Sequence, residues 1–529
     1  MISEYRVRRL IVGGLPEYAR IVEMYSYTTG GLPTKKRAIF EATKPGTPTT
    51  YTQYLESQYT YDSEGRRTQM KYPPNRTFDQ GTMQWVETPG RQLDYTFDSM
   101  GRPNTMTSPD PTTWIGGVTY NAAGQPTNIG GETRQYNTLG QLTRITNGSA
   151  FDEEYKYSTT GANNGRITSK KNHLSGEEVE YTYDSLQRLI KAETLGAGGW
   201  GSTYGYDGFG NLWSAAATKG YAPPINISIN AANNRVVGQT YDANGNQAWG
   251  SSDYDVANRL WKAPEGTTPQ YYGYDGGNKR VYKNRFLGYD GQTGNPIYDE
   301  NLTFYGVSGE RLGEYTATWE SISGGSSYVL RFTEKKTLVW FGSKLLREGQ
   351  WNIIQDRLGS VRYRQLAVSP FTVENADYYP YGGEKPSATT QGREKFATYL
   401  RDETGLDYAD QRYHWPDSGR FMSPDPYLAS GGAGAPGSWN RYAYVEGDPV
   451  NLTDPAGLIA VYPSPAGGVC RDIRRDPHPA LTYMSDGNTW CTPEPQFPRG
   501  ATYAPEQVDA VRNGFARAFH QYSMFLLLA

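Results

Sequence analysis

Apolar and polar residues alternate over short stretches through most of the chain, and turn-forming residues separate these stretches. Between about residues 300 and 385, the segments NLTFYG, YVLRFTEKKTLVWFG and WNIIQDRLGSVRYRQ carry alternating or short apolar runs. A period of two puts one face of a strand against a core and the other in water. Few stretches before residue 459 have a helical period. The pattern therefore predicts a mainly β protein with little helix before residue 459.

A degenerate repeat occupies much of the chain. An aromatic residue is followed by Asp or Asn, two variable residues, usually Gly, and then a polar or basic residue. Copies begin at Tyr61, Phe97, Tyr120, Tyr136, Tyr183, Tyr206, Tyr241, Tyr254 and Tyr274. We interpret each copy as a hairpin: the Asp or Asn side chain opens the turn, and the Gly supplies a positive φ beside a bulge. We assign these residues no catalytic role and expect the Tyr rings to stack on one face.

A repeat of this length implies one extended sheet that must curl, either as a solenoid or around a space. The composition agrees with strands and turns, since there are 44 Tyr, 61 Gly and 33 Pro. Mean hydropathy is low, at −0.71, but 14% of the residues are aromatic, which argues against disorder. The net charge of −3 gives no sign of a nucleic-acid-binding chain.

The N-terminal sequence MISEYRVRRLIVGGLPEYARIVEMY has no long apolar core, so we expect no cleavable signal peptide. The chain has no run of about 18 apolar residues that would predict a membrane span. If the protein leaves the cell, we expect it to use a route that needs no signal peptide and to be cytoplasmic before export.

The repeats resemble the YD repeats of Rhs proteins, teneurins and the C components of insecticidal Tc toxins. The downstream motifs are more specific to that family. They are Asp356–Ser360 (DRLGS), Tyr379–Gly382 (YPYG), Thr404–Tyr408 (TGLDY), Gly419–Pro426 (GRFMSPDP) and Asn440–Leu458 (NRYAYVEGDPVNLTDPAGL). Their order and spacing resemble the Rhs repeat-associated core, and the resemblance covers roughly residues 50–458.

The resemblance implies a β-sheet that spirals into a hollow shell and is capped by the core domain. We expect an N-terminal β segment at 1–50, a YD-repeat shell at 51–385, the repeat-associated core at 386–458 and a variable C-terminal segment at 459–529. In the family, the core is an aspartyl-type autoprotease that cuts after the DPxGL motif, and the released segment is usually a toxin held inside the shell.

Residue by residue, the family's catalytic groups correspond to Arg412, Asp425 and Asp454, and the scissile bond corresponds to Leu458–Ile459. Taken alone, Asp-Pro is a common turn opener. With the family match we favour catalysis, since two acids that share a proton and a nearby cation can hydrolyse a peptide bond.

The chain departs from the family in two places. The family's Arg-Tyr-Tyr-Asp-Pro reads RYHWP at Arg412–Pro416, and a Gly/Ala-rich loop from Ser430 to Gly437 is longer than usual. We expect His414 to be a packed aromatic neighbour without metal partners. The charges of three further acidic residues are expected to lie in solvated turns; these are Asp402, Glu403 and Asp407. Asp448 also precedes Pro, and we assign it no catalytic role.

Residues 459–529 contain six Arg, no Lys and six acidic residues, which argues against a strongly basic nuclease. A helix is predicted from Ala504, with Pro505 in its first turn. A disulfide between Cys470 and Cys491 is an open alternative to a pair of free thiols. Zinc binding with His478 and His520 fits no standard spacing, so no cofactor or metal is expected.

Three functions remain in competition. The first is a self-cleaving encapsulating shell whose partner is its own C-terminal segment, with a secretion apparatus and an immunity protein as further candidate partners. The second is a non-cleaving structural or adhesive protein that could bind carbohydrate through exposed aromatic rows, and the altered RYHWP element favours it. The third, a glycosidase on a β-solenoid, ranks last because the repeat Asp residues are committed to turns.

Overall fold

A computed structural model describes residues 2–9, 17–44, 49–109, 113–159, 163–264, 269–289, 291, 294, 296–322, 327–385, 389–426, 439–458 and 460–463, and the backbone alone of 469–472, 482–483 and 489–492. The chain divides into two compact units, Met1–Cys491 and Thr492–Ala529. Everything below concerns the first unit.

The first sheet has eight antiparallel strands in the order β1-β2-β3-β4-β5-β8-β9-β10, and β6 and β7 form a separate hairpin. The strands are β1 (Ile2–Arg9), β2 (Glu17–Tyr27), β3 (Pro33–Thr43), β4 (Thr50–Tyr61), β5 (Arg67–Lys71), β6 (Asn75–Asp79), β7 (Gln84–Thr88), β8 (Gln92–Phe97), β9 (Pro103–Thr107) and β10 (Thr113–Ile115).

The second sheet has eleven strands, each paired with its neighbour in sequence, and a two-stranded hairpin follows it. The strands of the sheet are β11 (Val118–Tyr120), β12 (Pro126–Ile129), β13 (Glu132–Tyr136), β14 (Leu142–Asn147), β15 (Phe151–Tyr157), β16 (Ile167–Asn172), β17 (Glu178–Tyr183), β18 (Leu189–Thr194), β19 (Gly201–Tyr206), β20 (Leu212–Lys219) and β21 (Ile225–Asn226); the hairpin consists of β22 (Ile229–Asn230) and β23 (Arg235–Val236).

The third sheet also has eleven strands in sequence order. They are β24 (Asp253–Tyr254), β25 (Leu260–Ala263), β26 (Gln270–Tyr274), β27 (Arg280–Tyr289), β28 (Pro296–Tyr305), β29 (Arg311–Ile322), β30 (Ser327–Phe341), β31 (Lys344–Glu348), β32 (Trp351–Gln355), β33 (Val361–Leu366) and β34 (Val373–Asn375).

The remaining sheets are small, with five and four strands. The five-stranded sheet contains β35 (Arg393–Glu394), β36 (Leu400–Arg401), β37 (Asp407–Ala409), β38 (Arg412–Trp415) and β39 (Arg420–Phe421), and the four-stranded sheet contains β40 (Tyr462–Pro463), β41 (Val469–Asp472), β42 (Thr482–Tyr483) and β43 (Thr489–Thr492). Short 3-10 helices occupy Phe396–Thr398 and Val445–Gly447. Among the described residues, no helix has the length and apolar character needed to cross a lipid bilayer.

The prediction of a mainly β protein is therefore confirmed. The tail helix predicted from Ala504, His478, His520 and the side chains of Cys470 and Cys491 lie outside the described residues. So does the loop from Ser430 to Gly437.

The repeat turns have the predicted chemistry. In the first copy, Oδ1 of Asp62 accepts hydrogen bonds from the amides of Glu64 and Arg66, both at 2.9 Å, and Gly65 has a φ of 80°. The register of β4 against β5 shifts at Tyr61, which is the expected bulge. Where the Gly is missing, Gln187 adopts the same positive φ, at 65°. The hairpin prediction is confirmed.

The Tyr rings of the repeats do not form the simple stack that we predicted. A repeat ring packs instead against the Arg side chain of the preceding copy, as Tyr120 does with Arg102 at 4.1 Å and Tyr206 with Arg188 at 4.7 Å. The Tyr hydroxyl also donates to a backbone carbonyl in the preceding hairpin, for example that of Tyr206 to Leu189 at 2.8 Å. Cation–π contacts and hydrogen bonds therefore connect successive repeats.

The first and third sheets pack against each other through apolar side chains, including Phe40, Tyr282 and Phe332. The five-stranded sheet and the segments around it pack against the second sheet through Phe396, Tyr399 and their neighbours. They also pack against β25 and β26 of the third sheet. The predicted core region is therefore held between two large sheets.

Candidate functional site

Arg412 is the first residue of β38, on the buried side of the five-stranded sheet. Its neighbour across the β37–β38 hairpin is Ala409, and only 4% of Arg412 is exposed. The guanidinium carbon lies 3.6 Å from the centroid of the Phe421 ring, on β39. The contact with the ring holds the guanidinium group in place. Its N–H groups can then donate hydrogen bonds to partners in the plane of the group.

The Arg412 guanidinium brings the three predicted catalytic residues together. Its Nη2 atom lies 3.0 Å from Oδ2 of Asp454 and 3.6 Å from Oδ2 of Asp425. Its Nη1 atom donates to the carbonyl of Arg441 at 2.9 Å, and its Nε atom donates to the carbonyl of Gly457. The two carboxylates, 29 residues apart in sequence, thus converge on one nitrogen atom.

Both carboxylates are buried, Asp454 to 2% and Asp425 to 8% exposure. The backbone holds Asp425 in place, because its amide donates to the Arg441 carbonyl at 3.0 Å and the Arg441 guanidinium donates to the Asp425 carbonyl. A buried carboxylate is stable when a cation pairs with it. Arg412 is shared by the two acids, so both carboxylates lie beside one fixed guanidinium group.

The DPxGL motif folds into the same type of turn as the YD repeats. Oδ1 of Asp454 accepts a hydrogen bond from the amide of Leu458 at 2.8 Å, and the Gly457 amide donates to the Asp454 carbonyl at 3.1 Å. Gly457 has the positive φ of the repeat glycines, at 67°. One oxygen of Asp454 therefore shapes the loop before the predicted cut, while the other oxygen faces Arg412.

The peptide group that joins Gly457 to Leu458 is held at both ends. Its carbonyl accepts from Arg412, and its N–H donates to Asp454. A Cβ atom on Gly457 would lie 2.6 Å from the carbonyl oxygen of Ala409 and 3.3 Å from Cβ of Arg412. The loop therefore admits only glycine here. We call this doubly hydrogen-bonded peptide group the clamp at Gly457. Leu458 follows it directly, and Ile459 lies outside the described residues.

A comparison with known protein sequences finds relatives of this chain. The toxin subunit YenC2 of Yersinia entomophaga is 24% identical over 438 residues, covering 64% of this chain and 42% of the relative. The tRNA3(Ser)-specific nuclease WapA of Bacillus spizizenii is 29% identical over 295 residues, covering 52% of this chain and 12% of the relative. This chain thus spans less than half of the length of either relative. No family model matches the sequence.

Solved structures share the fold. A crystal structure of TcdB2-TccC3 superposes with a TM-score of 0.61 and 20% identity, covering 83% of this chain and 24% of that one. The Tc holotoxin pore of Photorhabdus luminescens superposes with a TM-score of 0.58 and 19% identity, covering 86% and 25%. The chain is therefore similar in sequence to a toxin subunit and to an Rhs-type nuclease, and it has the fold of the Tc toxin structures.

His414 lies two residues after Arg412, in the altered RYHWP element. It is fully buried, with ring centroids 4.6 Å from Tyr444 and 6.3 Å from Phe396. Burial lowers the pKa of His414, although neighbouring Asp407 opposes that shift. His414 is a packed aromatic neighbour, as predicted. Among the described residues, no group of three His, Cys, Asp or Glu side chains is placed to hold a metal.

Two acidic residues near the site are not the solvated turn charges that we predicted. Asp402 is 1% exposed and pairs with Arg280, whose Nη2 atom lies 2.9 Å from Oδ1 of Asp402. Asp407 is fully buried, with Oδ1 2.8 Å from Nε of Arg401. An arginine fork pairs with each carboxylate, which offsets the cost of removing the carboxylate from water. Glu403 remains partly exposed and pairs with Lys283 at 2.7 Å.

Residues that the sequence did not single out also shape the site. The buried Tyr399 hydroxyl donates to the Asp454 carbonyl, and Arg441 contributes its carbonyl to both Arg412 and Asp425. Arg441 lies in the NRYAYVEGDP motif, which is a usable signal. Tyr399 belongs to none of the quoted motifs, and its contact joins residues that are 55 positions apart in sequence, so it depends on the tertiary fold.

Proposed function

We propose that this chain is the self-cleaving β-shell part of a bacterial polymorphic toxin, and that it hydrolyses its own Leu458–Ile459 bond. The observation that carries the proposal is the contact of one Arg412 nitrogen with both Asp425 and Asp454, immediately beside the clamped peptide that precedes Leu458. The catalytic roles of Arg412, Asp425 and Asp454 are part of the proposal.

The reaction needs one water molecule and two acids in different protonation states. In the proposed reaction one carboxylate acts as the base and the other as the acid, as in proteases that use two acids sharing one proton. The ionised acid removes a proton from water as the oxygen attacks the Leu458 carbonyl carbon. The protonated acid donates to the carbonyl oxygen, and Arg412 stabilises developing negative charge. Collapse of the intermediate breaks the C–N bond, protonates the Ile459 amine and leaves a Leu458 carboxyl group.

The altered RYHWP element is compatible with this chemistry. His414 packs among aromatic rings, and the Arg412 side chain still contacts both carboxylates and the Gly457 carbonyl. The RYHWP element therefore no longer favours a non-cleaving structural or adhesive protein. Its compatibility with the proposed chemistry supports the self-cleaving alternative.

We propose that residues 1–50 form an N-terminal β segment, that 51–385 form the shell, that 386–458 form the protease core, and that 459–529 are the enclosed effector segment. The YenC2 and WapA relatives are named a toxin subunit and a nuclease, which supports export from a bacterial cell as part of a toxin. Its partners would be its own C-terminal segment, a secretion apparatus and an immunity protein.

Cleavage and enclosure are tested separately. Asp425→Asn and Asp454→Asn keep the shape of the side chain but remove the acid, so each variant should remain a single chain while the wild type separates into two fragments on a denaturing gel. The rate should be independent of protein concentration, because the catalytic acids and the bond to be cut belong to one chain. For enclosure, mild protease should spare residues 459–529 in the native protein and digest them after denaturation. Rapid native digestion would refute enclosure.

A further inference from the structure

The residues just beyond the predicted cut return to the core. Val461 and Thr453 form an antiparallel bridge in which the Val461 amide donates to the Thr453 carbonyl at 2.7 Å and the Thr453 amide donates to the Val461 carbonyl at 2.9 Å. Val461 is 2% exposed and Thr453 is 4% exposed. The Leu458–Ile459 bond therefore lies inside a short loop whose two ends are joined by hydrogen bonds.

The next residue adds a second attachment. The Tyr462 hydroxyl accepts a hydrogen bond from Nη1 of Arg166 at 2.7 Å, and the Arg166 guanidinium lies 5.7 Å from the centre of the Tyr462 ring. Nε of Arg166 lies 2.6 Å from Oδ2 of Asp448, which fixes the guanidinium. Asn451 donates in turn to Oδ1 of Asp448 at 2.8 Å. Asp448 thus orients a binding group, consistent with its exclusion from the catalytic set.

Apolar packing supports the same segment. Ala460 and Tyr462 are both partly buried against the cluster formed by the second sheet and the core region. Ala460, Val461 and Tyr462 thus have contacts with parts of the chain that precede the cut: the second sheet, the 448–453 segment and the bridge at Thr453. Tyr462 and Pro463 also pair with Cys470 and Val469 of β41, which follow the cut.

We infer that Ala460–Pro463 is a non-covalent anchor that keeps the new amino-terminal end of the effector segment bound to the core after the bond is cut. The inference rests on the proposed function for the position of the cut. Hydrolysis separates Leu458 from Ile459, but the bridge to Thr453 and the Arg166–Tyr462 contact do not depend on that bond. Release of the segment is then a second event, in which the 453–461 bridge must open.

Hydrogen exchange measured by mass spectrometry tests the anchor in the full chain. The probe is the exchange rate of the Val461 amide and its neighbours, in the wild type and in the Asp425→Asn variant. Nicked wild-type protein should protect the Val461 amide as strongly as the uncut variant does. Tyr462→Ala removes the hydrogen bond with Arg166 and the packing of the Tyr462 ring, and it should speed exchange at Val461 by about fivefold or more, the scale of one net hydrogen bond.

Tyr221→Ala is the matched control, because Tyr221 is 66% exposed and lies outside the anchor. It should leave exchange at Val461 unchanged. Random-coil exchange at Val461 in nicked wild type, with protection kept in Asp425→Asn, would overturn the anchor while leaving self-cleavage intact. If the wild type is not cut, the proposed function fails, and the anchor is judged in the intact chain: faster exchange in Tyr462→Ala supports it, and unchanged exchange overturns it.

Discussion

The Nη2 atom of Arg412 lies 3.0 Å from Oδ2 of Asp454, across 42 residues of sequence. Both side chains are almost fully buried. The pair is stable there because each group neutralises the charge of the other and forms a hydrogen bond with it. The same guanidinium also reaches Asp425 and the Gly457 carbonyl. The chemistry that we propose depends on this one cation being fixed between two acids and the loop to be cut.

Arg412→Lys should slow self-cleavage by about 100-fold or more, on the scale of removing one fixed donor from an active site. Lysine keeps the positive charge but cannot reach the two acids and both backbone carbonyls with one planar group. The measurement is a time course of fragment formation on denaturing gels. Arg144→Lys is a suitable control, because Arg144 forms a more exposed pair with Asp152. Equal rates in Arg412→Lys and wild type would contradict the role of Arg412.

Gly457→Ala should block cleavage by displacing the loop, because the added Cβ would lie 2.6 Å from the Ala409 carbonyl oxygen. Gly405→Ala is the matched control. Gly405 also has a positive φ, of 84°, but a Cβ there meets nothing within 4 Å. Both variants carry the backbone strain of about 1–2 kcal/mol, and only Gly457→Ala adds the clash. Comparable cleavage in the two variants would show that the clamp at Gly457 is unimportant.

His414→Phe should change how stability depends on pH. Burial lowers the pKa of His414 below 6.5, so the folded protein resists a proton that the unfolded chain accepts. The contribution of neutral His414 is complete above pH 6.5 and is lost as pH falls from there towards the lowered folded pKa, by about 1.4 kcal/mol per pH unit. Urea unfolding at several pH values should show this slope disappearing in His414→Phe. Parallel curves for the two proteins would refute the assignment.

Gln187→Gly should stabilise the protein by about 1 kcal/mol, because Gln187 occupies a positive φ that a repeat glycine normally supplies. The reverse change in the next repeat, Gly210→Gln, should destabilise by a similar amount. Gly210 has a φ of 77°, and a Cβ atom there would meet nothing within 4 Å, so only backbone strain changes. Chemical denaturation measures both differences. A destabilised Gln187→Gly would mean that the Gln side chain contributes more than the strain costs.

The repeat hairpins could be predicted because their chemistry is local: Asp, Gly and the bulge lie within five residues of each Tyr. The Arg–Tyr contacts between repeats could not, since they depend on which hairpins become neighbours. Asp402 was misjudged for the same reason, because its partner Arg280 lies 122 residues away.

For the candidate site, the order of motifs selected Arg412, Asp425 and Asp454, which the fold places in contact through Arg412. Tyr399 was missed because its hydroxyl reaches the Asp454 carbonyl only after the core region has packed. The bridge between Thr453 and Val461 was missed because two short, weakly patterned segments form it.

The central claim is that this chain cuts its own Leu458–Ile459 bond with Asp425 and Asp454, and intact mass spectrometry of the purified protein tests it most directly. The account predicts two masses for the wild type, one fragment ending at Leu458 and one beginning at Ile459, and a single 529-residue mass for each of Asp425→Asn and Asp454→Asn. A single wild-type mass, fragments that end elsewhere, or normal cleavage in the two Asn variants would contradict it.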